Sequence, residues 1–254
     1  MTLGTSDHVS LETAWEAFAE RAGRPLPRAA AIAIAGPVTG QVVRMTNNSW
    51  VLDTGALDAQ LGLDQVCVLN DFAAVAHGVA VAGEGDLAHL SGPEGPLPAT
   101  GAISVLGPGT GLGVACLIRH SGGYHVQPTE GGHMDFAPVD AVDDAILAAL
   151  RSDHRRVSTE RINSGPGIVP IYRTLCALEG RAPQLEGDRA IWGAALAGEA
   201  AMARAALQRF CMTLGSLAGD VALVHGASAV VLAGGLGARL GPLLAGSAFA
   251  ERFR

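Results

Sequence analysis

Apolar positions along the chain alternate between helical and strand spacing, and their order predicts a mixed α/β protein. Ser10 stands as an N-cap before a helix running to Ala22. Leu11, Trp15, Phe18 and Ala22 fall on one face of that helix and read as core. Residues 28–35 read as a buried strand ending at Gly36-Pro37, and short strands follow at 42–45 and 49–52. A helix near 56–61 leads into a strand at 66–69. Asn70 and Asp71 stand just past its carboxyl end, at the entry to a helix over 72–80. In α/β sheets ligands bind at such strand ends.

Residues 83–100 are rich in Gly, Pro and small side chains, which suggests a small lobe over 1–82 and a large lobe over 83–254. The second part opens with strands at 102–106 and 114–118 around a glycine-rich turn, then a strand at 124–127 leading into TEGGHMDFAP. Helical spacing follows at 139–151, 166–177 and 190–196, and over a long stretch at 200–226 that Gly215 is expected to break. A last buried strand at 229–233 ends at Gly234-Gly235, before a short helix. There is no repeat or low-complexity tract.

The composition sharpens the class. With 254 residues, 49% hydrophobic and 16% charged, the chain is globular and long enough for a core without metal or disulfide. Aromatic content of only 4% leaves the core to Ala, Val, Leu and Ile. The net charge of −7 and scattered basic residues argue against nucleic acid as a partner, so an anionic cofactor would be met by backbone amides and a divalent cation. Cys67, Cys116, Cys176 and Cys211 form no C-x-x-C pair and read as buried free thiols in a reducing cytosol. No signal peptide or membrane-spanning run is evident, which suggests a cytoplasmic protein.

The segment LGPGTGLGVACLI, residues 106–118, carries the most specific chemistry. Gly107, Gly109, Gly111 and Gly113 can take positive φ and let backbone amides converge on an anion, and Thr110 adds a hydroxyl donor. Leu112 occupies the third glycine position of a dinucleotide fingerprint, and the lysine of a Walker loop is absent. What remains is a strand-turn-strand hairpin suited to phosphate, although an ordinary glycine hairpin has the same pattern.

Three further sites offer oxygen and nitrogen to a ligand. Asn70-Asp71 places an amide beside a carboxylate that could take a hydroxyl proton, while Asp71 equally reads as a helix cap. Glu130-Gly131-Gly132-His133 fits a loop better than a metal-binding helix, because its two central glycines disfavour helix and no second copy completes a di-metal site. Glu160 precedes SGPG at 164–167 and reads either as an acceptor or as a charge in the first turn of a short helix. Dispersed carboxylates with Asn and His suit a polyhydroxylated ligand. With a phosphate hairpin and Gly234-Gly235, they imply phosphoryl transfer to a sugar hydroxyl.

These motifs together resemble the bacterial glucokinase family. They are AIAIAGPVTG at 31–40, MTNNSW at 45–50, VLNDFAAVA, LGPGTGLGV, EGGHMDFAP, ERINSGPG and LAGGLGARL at 232–240. The resemblance implies a two-lobed ribonuclease-H-like (actin/hexokinase) fold and ATP-dependent phosphorylation of glucose with Mg²⁺. It implies Asp71 as catalytic base and Asn70, Glu130, His133 and Glu160 as glucose-binding residues. LGPGTGLG, with Gly107, Gly109, Thr110 and Gly111, matches the second phosphate hairpin, and Gly234-Gly235 the turn beside adenosine. The family is often dimeric.

Two departures qualify that expectation. The family opens on a strand and a D-x-G-G-T hairpin that contacts ATP phosphates and helps place Mg²⁺, and nothing like it precedes Ser10. It also continues beyond the helix after Gly235 with a further strand and helix. The expectation is therefore an incomplete small lobe with an unpaired strand edge near Ala31. The alternative is an impaired paralogue that only binds sugar.

Overall fold

The structure, a computed structural model, describes residues 1–45 and 49–253, so Thr46, Asn47 and Asn48 of MTNNSW lie outside the described residues. The chain divides into two compact units, Met1–Ala74 and Val75–Arg254. The division falls upstream of the glycine- and proline-rich stretch at 83–100.

In the first unit α1 (Leu11–Ala22) starts from a reciprocal cap, in which Ser10 accepts from the Thr13 amide and Thr13 Oγ1 accepts from the Ser10 amide. Strand β1 (Ala29–Ile34) pairs in parallel with β4 (Gln65–Asn70), Ile34 standing opposite Asn70. Strands β2 (Val42–Arg44) and β3 (Val51–Asp53) form an antiparallel pair with Val43 and Leu52 facing inward together. These two residues, Ile34, and Leu57 and Leu61 of α2 (Leu57–Leu61) make a small core, against which Leu11 and Trp15 rest.

Two expectations change here. The α1 stripe is only half-buried, since no residue of that helix is fully covered. Strand β1 is not buried throughout but alternates, its Ala29, Ala31 and Ala33 being exposed and Ile34 buried, because one face of the β1–β4 pair is covered and the other is not.

Helix α3 (Asp71–Val81) follows β4 directly. In the second unit β5 (Gly101–Pro108), β6 (Leu112–His120) and β7 (Gly123–Thr129) form an antiparallel meander, and β8 (Ala227–Leu232) joins β5 in parallel. The sheet order β7-β6-β5-β8 is the ribonuclease-H-like arrangement expected. Arg119 on β6 donates to the Val79 and Ala80 carbonyls, satisfying the last turn of α3.

Helices α4 (Ala141–Arg151), α5 (Ile168–Leu178), α6 (Asp188–Ala197), α7 (Ala201–His225), α8 (Gly234–Leu244) and α9 (Phe249–Arg252) complete the unit. The main core joins Leu106 and Val114 of the sheet to Ile146, Ile171, Phe210 and Leu240 of the helices. Helix α7 is continuous through Gly215, against expectation. A Cβ at Gly215 would stand 2.3 Å from the Phe249 carbonyl oxygen, so that glycine admits the backbone of α9 rather than ending α7.

Asp140, the N-cap of α4, and fully buried Asp143 meet Arg209 of α7 and Arg252 of α9. Each carboxylate has both guanidinium groups as partners, which is the condition for holding charge inside a core. The thiols of Cys116, Cys176 and Cys211 are buried as expected, but Cys67, on the uncovered face of β4, is exposed. Among the described residues no helix is long and apolar enough to cross a membrane.

Candidate active site

The two apolar runs around the glycine segment extend further than their hydrophobic cores suggest. Strand β5 continues to Pro108 and β6 starts at Leu112, leaving 109–111 as a three-residue turn closed by the Gly109 amide on the Gly111 oxygen at 2.8 Å. Gly107 is buried in the ladder opposite Gly113, while Thr110 is exposed at the tip.

The expected positive φ is not found at Gly107, Gly109, Gly111 or Gly113. Gly111 serves close approach instead, whereas a Cβ on Gly109 would meet nothing within 4 Å. A Cβ on Gly111 would lie 2.5 Å from Glu160 Oε2, and the Gly109 carbonyl accepts the Gly165 amide at 2.7 Å. Positive φ does occur at Gly234, at 79°, the first residue of α8. A Cβ there would face the Pro108 oxygen at 3.6 Å and Gly107 Cα at 3.8 Å, so the α8 entry lies against the base of the hairpin. Gly234 and Gly235 are exposed, and the first amides of an 11-residue helix are free donors suited to an anion.

Leu112 ties the hairpin to the other candidate residues. Its amide donates to Glu160 Oε2 at 2.9 Å. Its carbonyl lies where Gly132 must have no side chain, since a Cβ there would stand 2.2 Å from that oxygen. Glu160 sits in a short 3-10 turn (Thr159–Arg161) held from below by a buried polar chain. In that chain Thr213 Oγ1 donates to Asn163 Oδ1 at 2.9 Å, and Asn163 Nδ2 donates to Thr159 Oγ1 at 3.0 Å. The SGPG segment is glycine-rich for the same steric reason, because a Cβ at Gly167 would meet the Ile162 oxygen at 2.1 Å.

Glu130 precedes and His133 ends a 3-10 turn (Gly131–His133), with Glu130 Oε2 and His133 Nε2 3.7 Å apart. Both side chains are 59% exposed, so the carboxylate and imidazole retain hydrogen-bonding capacity for a ligand. Beside the hairpin tip, a cavity of 360 Å³ is lined by Thr110, Glu160, Arg161, Ser164 and Arg173 among others. Its polar lining mixes hydroxyls, the guanidinium groups of Arg161 and Arg173 and the carboxylates of Asp153 and Glu160.

In the first unit Asn70, not Asp71, supplies most of the helix cap. Its Oδ1 accepts from the amides of Phe72 at 2.9 Å and Ala73 at 3.0 Å, and its Nδ2 donates to the Gly36 carbonyl at 3.1 Å. Asp71 is exposed and uses Oδ1 to accept the Phe72 amide at 2.8 Å. Its other oxygen accepts no hydrogen bond among the described residues.

A glucokinase family model matches residues 1–254. The glucokinase of Zymomonas mobilis subsp. mobilis is 53% identical over 252 residues, covering 99% of this chain and 78% of that protein. The chain belongs to the glucokinase family. A crystal structure of a glucokinase from an Antarctic psychrotroph has a TM-score of 0.84 at 34% identity, covering 100% of this chain and 78% of that one. A Streptomyces griseus ROK family glucokinase, solved with glucose and AMPPNP, has a TM-score of 0.58 at 20% identity and shares the fold, covering 96% of this chain and 79% of its own.

Within the frame of a glucokinase the motif residues gather in two places. Asn70 and Asp71 stand at the β4–α3 junction, and the hairpin, Glu130, His133, Glu160 and Gly234-Gly235 belong to the second unit. Sequence reasoning missed three contacts around the hairpin: the Leu112 amide on Glu160, the Gly165 amide on the Gly109 carbonyl, and Trp192 Nε1 on the Gly165 carbonyl. The only local signal for Gly165 is its place beside proline in SGPG. Trp192 shows itself only as one member, with Ile191 and Ala195, of the apolar face of α6.

Proposed function

We propose that the chain transfers the terminal phosphoryl group of ATP to the 6-hydroxyl of glucose. The glucose O6 forms a bond to the γ-phosphorus, the bond from that phosphorus to the bridging oxygen breaks, and ADP leaves. The O6 proton passes to Asp71, whose free oxygen is suited to accept it. Asn70 positions Asp71 by capping the helix on which it sits. Glu130, His133 and Glu160 act as partners for sugar hydroxyls.

The observation that carries this reading is the Glu160–Leu112 contact at 2.9 Å, which fixes a hydroxyl acceptor to the turn that would hold phosphate. Phosphoryl transfer depends chiefly on positioning and charge stabilisation, so a shared frame for the two ligands fits the chemistry. The hairpin turn with Thr110, and the α8 amides at Gly234 and Gly235, supply donors to the phosphates.

Mg²⁺ characteristically keeps several waters and binds through one or two protein oxygens together with substrate phosphates. The donors here fit that mode: among the described residues no cluster of three His, Cys, Asp or Glu makes a cage, while the exposed Thr110 hydroxyl offers a hard oxygen beside the hairpin. When bound, the ion would neutralise charge on the transferring group. A homodimer in the cytoplasm completes the proposal.

The test is incubation with glucose, ATP and Mg²⁺, with the product identified by phosphorus NMR. Glucose 6-phosphate with equimolar ADP supports the reading. Inorganic phosphate in place of the ester overturns it.

A further inference from the structure

We propose that Trp192 is a positioning residue for the phosphate hairpin, acting through Gly165. The inference deepens the proposed function and rests on the hairpin being the site that holds the donor phosphates. Trp192 lies on α6, 6% exposed, with its ring edge-on to Phe210 at a centroid distance of 5.0 Å. A buried indole N–H requires an acceptor. Trp192 Nε1 donates to the Gly165 carbonyl at 2.8 Å.

The same residue carries the contact onward. Gly165 donates its own amide to the Gly109 carbonyl, at 2.7 Å, on the first residue of the hairpin turn. Two hydrogen bonds in series thus lead from α6 to the turn, with only the backbone of Gly165 between them. A Cβ on Gly165 would stand 3.1 Å from the Gly109 oxygen, a tight contact that would crowd this approach. Pro166 follows with fixed φ and no amide hydrogen, which narrows the ways the segment can relax.

On the other side of Thr110, the Leu112 amide is held by Glu160. The turn is therefore fixed at both shoulders, by Gly165 at Gly109 and by Glu160 at Leu112. Glu160 also belongs to the sugar-binding set, so loss of its contact affects both ligands. Trp192 touches only the Gly109 side through Gly165, so removing its donor loosens one shoulder and leaves Glu130, His133 and Glu160 in place. The consequence falls on the nucleotide and not on the sugar.

The test is Trp192→Phe in the full chain, which keeps an aromatic ring against Phe210 and removes only the N–H. The expected result is a KM for ATP raised about fivefold, as for one neutral hydrogen bond, with the KM for glucose unchanged. An unchanged KM for ATP, or equal increases for both substrates, overturns the inference.

A second measurement covers the case in which Trp192→Phe folds poorly. In a Trp15→Phe, Trp50→Phe chain, Trp192 is the sole indole, and adding a non-hydrolysable ATP analogue is expected to change its emission, whereas glucose alone is not. No change with the analogue overturns the inference. This arm needs no turnover, so an inactive native chain would count against the proposed function while the relay is still decided by the fluorescence.

Discussion

The Glu160 carboxylate accepts the backbone amide of Leu112 at 2.9 Å, so a side chain assigned to sugar is also part of the frame of the phosphate hairpin. Gly111 makes the contact feasible by having no Cβ, and the Thr213–Asn163–Thr159 chain holds the turn that carries Glu160.

Glu160→Ala leaves the Leu112 amide without its acceptor. An unpaired buried donor costs about 1–3 kcal/mol, which corresponds to a fall of roughly 5- to 150-fold in kcat/KM if the loss is felt in the transition state. Glu160→Gln keeps a carbonyl acceptor and is expected to lose less. Steady-state kinetics with both substrates varied checks the order, and equal activity of the alanine variant and the native chain would show the contact to be idle.

Asn70→Ala removes the acceptor of the Ala73 amide, one of the two acceptors of the Phe72 amide, and the donor to Gly36. Loss of such a cap costs about 0.5–2 kcal/mol, or a few degrees in the unfolding midpoint for a protein of this size. Calorimetry is expected to show that decrease together with a lower kcat, because Asp71 begins the helix that Asn70 caps.

Two glycine substitutions separate function from folding. In Gly111→Ala the new methyl meets the end of the Glu160 side chain, which can swing away, so activity falls and stability drops by no more than the loss of the Leu112 contact. In Gly132→Ala the methyl meets the Leu112 backbone oxygen at 2.2 Å, which cannot move without disturbing β6. The second variant is expected to melt well below the first in parallel thermal scans.

The charge cluster sets an acid limit. Burial acts to raise the Asp140 carboxyl, but hydrogen bonds from Arg209 and the Asp143 amide, with the charges of Arg209 and Arg252, outweigh it and hold it below its ordinary 3.8. A carboxyl depressed in the folded state contributes stability that is present above 3.8 and lost as pH falls through the folded value. Arg252→Gln is expected to move the acid-unfolding midpoint upward, as measured by circular dichroism from pH 6 to 2 on the scale of carboxylate titration.

The β5–β6 hairpin and the β4–α3 junction were legible because each is local: apolar runs abut glycines in one case and Asn-Asp in the other. Long-range pairing was not. Nothing in the spacing of Asp140, Asp143, Arg209 and Arg252 announces that they meet, since three helices must fold before they do. Glycine was legible in place but not in purpose. A glycine required by positive φ and one required by close approach look alike in sequence. Hence Gly107, Gly109, Gly111 and Gly113 were expected to bend the chain, and Gly215 to break a helix, where Gly111 and Gly215 instead make room for Glu160 and Phe249.

The most direct measurement of the central claim is a coupled assay of glucose-dependent ADP release in native and Asp71→Asn chains. The side-chain amide of the variant can still accept the Phe72 N–H through its carbonyl, so the variant should melt like the native chain, but it cannot take the O6 proton. The predicted result is turnover in the native chain and a loss of roughly 10²–10⁴-fold in kcat in the variant, the range for removal of a general base. Equal turnover in the two, or none from a folded native chain supplied with glucose, ATP and Mg²⁺, would contradict the account.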